Sequence, residues 1–443
     1  MLTLFLASCN SSSTALAESE AATEAAEPVM VSAVKVKDSF PAGKYLSSGD
    51  LEVVEVDEKT LPEGYLTTKA SALNRKLLQN VIAGEFLSSS MLGEKKASSS
   101  ISNVSTSIAR KLGYIVVTDF LDANTGEDLS DKIQEIINKN PRHTIYFPDG
   151  VYTIANPIKT SSNAAKAVSL HLSENAVIKA ADRWLGKAEY MVQLGVIDET
   201  FSINETGTNY YIYGGVIDGN NKAKGLILEG GRETSIRNLS IKNATQGFKI
   251  AYNEAYGSND SDTEWLTVEG SGFAGSIGII VDGLDNTLSN IRVSGFEIGV
   301  QLTRGGNLIH NIQTRYVPSE QIDFANTKGF LDTSGNWYDG CTAYDFAVAF
   351  HAHSSAISFY NDCAAYWTAP MGERNVAFET DGRLSASITN FRAEFCEGVT
   401  NEILLTYADN GKGILKDPIF DQTLVASDGY KKYLVGKVVW NKD

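Results

Sequence analysis

Between Ser235 and Tyr407 one short phrase recurs: SIRNLSI, TEWLTV, TLSNIRV, NLIHNIQT, NWYDGCTA, ISFYNDCAA and SITNFRA. Each copy has an apolar residue, a polar turn, then two more apolar or small residues at alternate positions. The turns fall at Asn238, Trp265, Asn290, Asn311, Gly340, Asp362 and Asn390, with 21 residues from Asn290 to Asn311 and 22 from Gly340 to Asp362. Self-similarity at a period in the twenties marks a solenoid, in which each unit buries its apolar face only against its neighbours. A second phrase follows in each unit: GFKI, GIIV, GVQL, VAF from Val348, VAF from Val376, and ILL from Ile403. Two or three short strands per unit, alternating with period two and without helical spacing, predict the coils of an all-β solenoid. A sandwich would need hairpin turns such as Asn-Gly between antiparallel partners, and that signal is weak.

The 443 residues suffice for two or three domains with a large core. Lys plus Arg is 38 against 54 for Asp plus Glu, a net charge of −16. Such a surface disfavours nucleic acid and anionic membranes as partners, yet local cations could still hold an anionic polysaccharide. No apolar run reaches the 18 or so residues of a membrane-spanning helix. The 38 Gly against 9 Pro fit many tight bends. Cys9, Cys341, Cys363 and Cys396 form no CxxC and have no paired histidines at ligand spacing, so no zinc site is expected.

Residues 1–28 open with LTLFLASC, which resembles the lipobox of bacterial lipoproteins. The resemblance implies lipidation at Cys9 and a cell-surface or extracellular place. Residues 10–27, rich in Ser, Ala, Thr and Glu, then read as a flexible tether. Residues 29–93 form a small β-rich unit, with strands at Val31–Val36, Leu51–Val54 and Val81–Leu87 and a turn at Phe40–Gly43. Its VKVKDSFPAGKYLSSGDL and NVIAGEFLSSSML resemble the SAF, or β-clip, domain of pilus-assembly and sialic-acid synthase proteins, which implies a protein partner. Residues 94–112 are a Ser-rich linker.

The solenoid occupies residues 113–410. Leu129, Ile133, Ile136 and Ile137 fall on one helical face, with Asp128 or Ser130 able to cap it. The phrase DLSDKIQEIINKN…TIYFPDGVYTI resembles the opening of the pectate-lyase-like superfamily, which includes polygalacturonase-related proteins and phage tailspikes. That resemblance implies a right-handed single-stranded parallel β-helix whose N-terminal end the helix covers. It also implies a polysaccharide or cell-surface glycan as partner. The polygalacturonase motifs Asn-Thr-Asp, Asp-Asp, Gly-His-Gly and Arg-Ile-Lys are absent, so the catalyst is left open. Asp218 reads as a turn-former, and the isolated His171 and His310 as structural. Residues 411–443 are expected to close the far end as a β cap.

Alternation in the strands near Gly278, Gly299, Val348 and Val376 places Asp282, Thr303, His351 and Glu379 outward in one column, beside a floor of Ile280, Ala349 and Ala377. His351, Glu379, Asp332 and Asp381 are therefore the candidate acid–base groups. Asp282, Arg304, Tyr344, Trp367 and Arg383 are the candidate substrate-binding groups, with Tyr366 beside them. Two carboxylates could serve a glycoside hydrolase. A base with Arg or Ca2+ could serve a lyase on a uronate-containing glycan, and no other cofactor is implied. The alternative is a non-catalytic, tailspike-like adhesin or surface-assembly protein.

Overall fold

A computed structural model describes residues 29–46, 48–72, 75–95, 106–197, 211–252, 259–353, 356–380, 385–399, 402–406, 412–416, 419–421, 434–435 and 439–441. Cys9, Asp381 and Arg383 lie outside the described residues. The chain divides into two compact units, Met1–Ile101 and Ser102–Asp443.

In the first unit, Met30–Val36 pairs antiparallel with Leu51–Asp57, and Arg75–Leu77 with Leu92–Lys95. Val34, Val36, Leu46, Leu51, Leu77, Val81 and Leu87 form its core. Gly43 at φ 91° turns the chain after Pro41. The stretch expected as a strand at Val81–Leu87 contributes isolated bridges instead, Val81 to Phe40 and Phe86 to Lys35.

The second unit is a parallel β-helix. Its coils place three strands in turn on three faces. On the first face, Thr144–Phe147, Ser169–Leu172, Tyr211–Tyr213, Ser235–Arg237 and Asp262–Glu264 stack in parallel. On the second, Gly150–Ile154, Ala176–Ala180, Val216–Asp218, Ser240–Ala244 and Thr267–Gly270 do the same. The third carries Ile277–Val281, Ile298–Leu302, Lys328–Asp332, Val348–Ala352 and Asn375–Thr380. The first two faces join in one 23-stranded ladder and the third is a 10-stranded sheet. Parallel pairing continues through Lys412–Lys416, Ile419–Asp421, Leu434–Val435 and Val439–Asn441. The described strands of residues 411–443 thus continue the parallel ladder.

Between the first and second faces the chain bends at a single left-handed residue per coil. These are Asn238 (φ 54°), Trp265 (58°), Asn290 (57°), Asn311 (48°), Gly340 (63°), Asp362 (53°) and Asn390 (52°), the seven turns that the repeat predicts. Asn tolerates this conformation and its amide bonds neighbouring polar groups. Asn311 Nδ2 donates to Asn290 Oδ1 at 2.8 Å, and Asn390 Nδ2 to Asp362 Oδ1 at 3.0 Å.

Stacked coils repeat their interiors. Phe330 lies parallel to Phe350 at 4.8 Å, Phe350 to Phe378 at 6.2 Å, and Tyr338 to Tyr360 at 4.5 Å. Such pairs contribute roughly 0.5–1.5 kcal/mol each beyond the area they bury. A polar ladder runs through the same interior. Asn307 Oδ1 accepts from the Asn286 backbone N–H at 3.0 Å, and Asn336 Oδ1 from that of Asn307 at 3.0 Å. Asp332, fully buried, ends this ladder. It accepts from the Ser334 backbone, Asn336 Nδ2, Ser358 Oγ (2.6 Å) and Tyr360 Oη (3.2 Å).

The expected helix is Ser130–Lys139, with Ile133, Ile136 and Ile137 buried against the first coils. Asp128 Oδ1 accepts from the Ser130 backbone N–H at 3.0 Å and from that of Ala155 at 2.9 Å, so one carboxylate ties the helix start to the first coil. Within the expected linker, residues 106–111 are helical, and Ala109 packs on Val116 and Tyr146.

Two outcomes are expected. Asp332→Ala removes an acceptor shared by three buried donors and strands Tyr360 Oη, and should cost about 2–3 kcal/mol in urea unfolding, at about 1–3 kcal/mol per unmade bond. A loss under about 1 kcal/mol would contradict a structural role. Cys341 and Cys363 are buried free thiols, and burial pushes the Cys363 thiol up. A thiol reagent should modify both only after denaturation; rapid labelling of the native protein would refute this.

Candidate functional site

His351 and Glu379 are directly opposite on neighbouring third-face strands. His351 Nδ1 lies 3.5 Å from Glu379 Oε2, and Glu379 is also ion-paired with Arg374. The His353 ring is 6.4 Å from that of His351. The structure thus assembles an imidazole, a carboxylate and a guanidinium at one point of the third face, with Arg374 not anticipated from sequence.

The remaining expected groups do not join them. The His351 column continues through Leu331, Gln301, Ile280 and Lys249, so Asp282 and Thr303 belong two residues further on. Gly278, Gly299, Gly329, Ala349 and Ala377 form an inner column rather than an outer floor. A Cβ on Gly278 would meet Val293 Cγ1 at 2.3 Å and Gly299 O at 2.6 Å. A slip of two residues leaves the inward and outward pattern unchanged, which is why alternation alone misplaces it. Asp282 instead pairs with Lys249 Nζ at 2.6 Å and accepts from Thr303 Oγ1 at 2.5 Å, while the Arg304 guanidinium sits 4.1 Å over Tyr252.

Asp332 is not on the outer surface. Burial raises its carboxyl, the four donors pull it down, and the net position is above the usual carboxylate range. Trp367 is buried too, stacked on Phe395 at 4.2 Å and donating Nε1–H to Phe346 O at 2.9 Å. It belongs to the core. Tyr344 lies on the second face, stacked on Tyr366 at 5.3 Å, and so away from His351.

Two concave sites lie on the other faces. The first, of about 440 Å³, is lined by Tyr114, His171, Tyr211, Tyr213, Glu233 and Arg237. His171 has the rings of Tyr114, Tyr146 and Tyr213 at 5.9, 5.4 and 5.0 Å. Burial holds its imidazole below the usual histidine range, so the ring is uncharged at neutral pH. Burial also pushes the Tyr211 phenol up, and its hydroxyl lies 3.2 Å from Thr144 Oγ1. Arg237 continues the column of Tyr146, His171 and Tyr213, and lies 3.6 Å from Glu264 and 3.9 Å from Asp262. Aromatic faces, a neutral imidazole and flanking charges suit a polyhydroxylated ligand better than proton transfer. In sequence these residues are scattered over 124 positions, from Tyr114 to Arg237, and His171 has no histidine or acidic neighbour to mark it.

The second, of about 380 Å³, is lined by Thr267, Glu269, Arg292, Gln313, Arg315 and Tyr344. The Arg315 guanidinium lies 5.1 Å over the Tyr344 ring and 3.8 Å from Asp345 Oδ2. On the first face, His310 is not isolated: Nδ1 is 2.9 Å from Asp339 Oδ2 one coil away. Among the described residues no group of three His, Cys, Asp or Glu is placed to hold a metal, and no helix is long and apolar enough to cross a membrane.

No family model matches the chain, and no curated protein sequence matches it. Among solved structures it is similar to a double mutant of the tailspike protein of Escherichia coli bacteriophage HK620, at 12% identity over 76% of this chain and 67% of that one, with a TM-score of 0.53. A second form of that tailspike, in complex with a pentasaccharide, gives 12% identity, the same coverage and a TM-score of 0.50. The A-module of a mannuronan C-5 epimerase from Azotobacter vinelandii aligns at 11% identity over 74% of this chain and 100% of that one, with a TM-score of 0.46. The tailspike alignments show a shared fold, the parallel β-helix.

Proposed function

We propose that this chain is an extracellular polysaccharide-binding protein, and that the first-face cavity around His171 is its recognition site. The observation that carries the reading is the aromatic enclosure of an uncharged imidazole beside Arg237 and Glu233 on a rigid scaffold. Sugar rings stack on aromatic faces through their apolar C–H surfaces, while their hydroxyls need donors and acceptors at the rim. A pentasaccharide complex of a tailspike with this fold supports the ligand class. Anchoring through a lipid on Cys9, docking of a protein through residues 29–93, and Ca2+ as a lyase cation belong to this reading as further proposals.

A second reading is favoured by the His351–Glu379–Arg374 cluster: lyase or glycoside hydrolase action on a uronate-containing glycan at the third face. His351 would act as base and Arg374 would offset developing carboxylate charge.

Binding to polygalacturonate, alginate and dextran, measured by calorimetry, tests the first reading. Tyr213 is 39% exposed, so Tyr213→Ala should leave the melting temperature nearly unchanged. It should weaken binding about fivefold or more, since an aromatic stacking contact is worth about 1 kcal/mol. Binding of no glycan by the wild-type protein would sink the proposal. Reducing ends and unsaturated-uronate absorbance test the second: His351→Ala and Glu379→Gln should each cut turnover about a hundredfold or more. Turnover surviving both would place the chemistry elsewhere.

The neutral state of His171 has a pH consequence. Its folded-state pKa is depressed, so the unfolded chain binds the proton more readily. Stability from this group is complete above the unfolded value, about 6.5, and is lost as pH falls toward the folded value. The wild type should therefore lose more melting temperature between neutral pH and pH about 5 than His171→Gln does. Identical pH profiles would contradict it.

A further inference from the structure

We infer that Trp265 is a stacking ridge joining the first-face and second-face cavities into one oblique track for an acidic glycan. This inference rests on the glycan-binding function proposed above. The first observation is conformational. Trp265 holds φ 58° at a bend where the six equivalent coils use Asn, Gly or Asp. A left-handed conformation costs a side chain other than Gly roughly 1–2 kcal/mol, and a bulky residue there is an outlier. The side chain adds little to the interior, because Trp265 is 60% exposed. A strained residue that contributes little to the core points to a role at the surface.

The second observation is where the bend lies. Glu264, the preceding residue, is 3.6 Å from Arg237, which lines the first cavity. Thr267, two residues on, lines the second. Trp265 thus occupies the corner between them, and the bends of the adjoining coils carry the smaller Asn238 and Asn290. From the coil of His171 to that of Tyr344 is six coils, about 29 Å at the usual strand spacing. That is a path for an oligomer rather than for a single sugar.

The third observation assigns the ligand charge. Arg292 is exposed and makes no ion pair among the described residues, and Arg315 lies beside it in the same cavity. Glu269 is the one carboxylate lining that cavity, against two guanidinium groups. Arg315 is shared with Asp345 at 3.8 Å, so Arg292 is the guanidinium left to take an anionic group on a chain of net charge −16. A polymer bearing carboxylates would meet aromatic surface on the first face, the indole at the corner, and arginines on the second.

The test compares wild type with Trp265→Asn, using a disaccharide and an octasaccharide prepared from polygalacturonate and from alginate, with a dextran octasaccharide as the neutral control. Asn suits the left-handed bend, so the variant should melt at the same temperature or higher. It should lose about fivefold or more in affinity for an acidic octasaccharide, by the same stacking contribution. Disaccharide affinity should be unchanged, because a disaccharide occupies one cavity. The wild-type minus variant fluorescence spectrum should shift on adding the octasaccharide only. Unchanged octasaccharide affinity, or equal loss for both lengths, overturns the ridge. Binding of dextran but of no acidic oligosaccharide overturns the acidic track and leaves glycan binding standing. Binding of nothing overturns both.

Discussion

Backbone hydrogen bonds that hold each coil in register on the next are the constraint on which every outer-surface feature depends. Because the strands are parallel and one coil apart, residues at equivalent positions stand in columns about 4.8 Å apart. Tyr146, His171, Tyr213 and Arg237 form one such column, and Leu331, His351 and Glu379 another. A side chain's neighbours are therefore set by coil register and not by proximity in sequence. The left-handed bends enforce that register, since each ends a first-face strand at the same point of its coil.

The interior is arranged to make slippage costly. Stacked Phe330, Phe350 and Phe378 tolerate exchange of one aromatic layer for another, because hydrophobic packing is weakly directional. The Asn286–Asn307–Asn336 ladder does not, because a slipped coil would leave buried amides without partners at about 1–3 kcal/mol each. Asp332 ends that ladder by accepting from four donors, on Ser334, Asn336, Ser358 and Tyr360. The resulting scaffold is rigid, and a rigid face with fixed aromatic and charged columns loses little conformational entropy when a polymer settles on it.

Much of this was legible in the sequence, for physical reasons. A solenoid repeats its bend, so Asn, Gly and Asp recurring within a repeated phrase at intervals of 21 to 29 residues located all seven left-handed positions, including the anomalous Trp265. The opposition of His351 and Glu379 was legible because both follow the same VAF phrase. Asp282 was placed two residues out because a slip of two preserves alternation, and only the hidden inner column of Gly278, Gly299, Gly329, Ala349 and Ala377 fixes the count. Asp332 and Trp367 looked functional because carboxylates and indoles are usually polar or half-exposed. Their burial depends on partners such as Ser358 and Phe395 in neighbouring coils. His171 looked structural because the tyrosines around it come from other coils. A column through aromatic residues at coil spacing is the signal that could have found it.

The central claim is that a glycan lies across the first and second faces. Hydrogen–deuterium exchange, with and without a saturating acidic octasaccharide, tests it most directly. Side-chain occupancy of a β-helix face slows the local opening that exchange reports. Protection should concentrate in Tyr211–Tyr213, Ser235–Arg237 and residues 262–270, with little change in Val348–Ala352 and Asn375–Thr380. Protection confined to those last two strands would contradict the account and move the ligand to the third face.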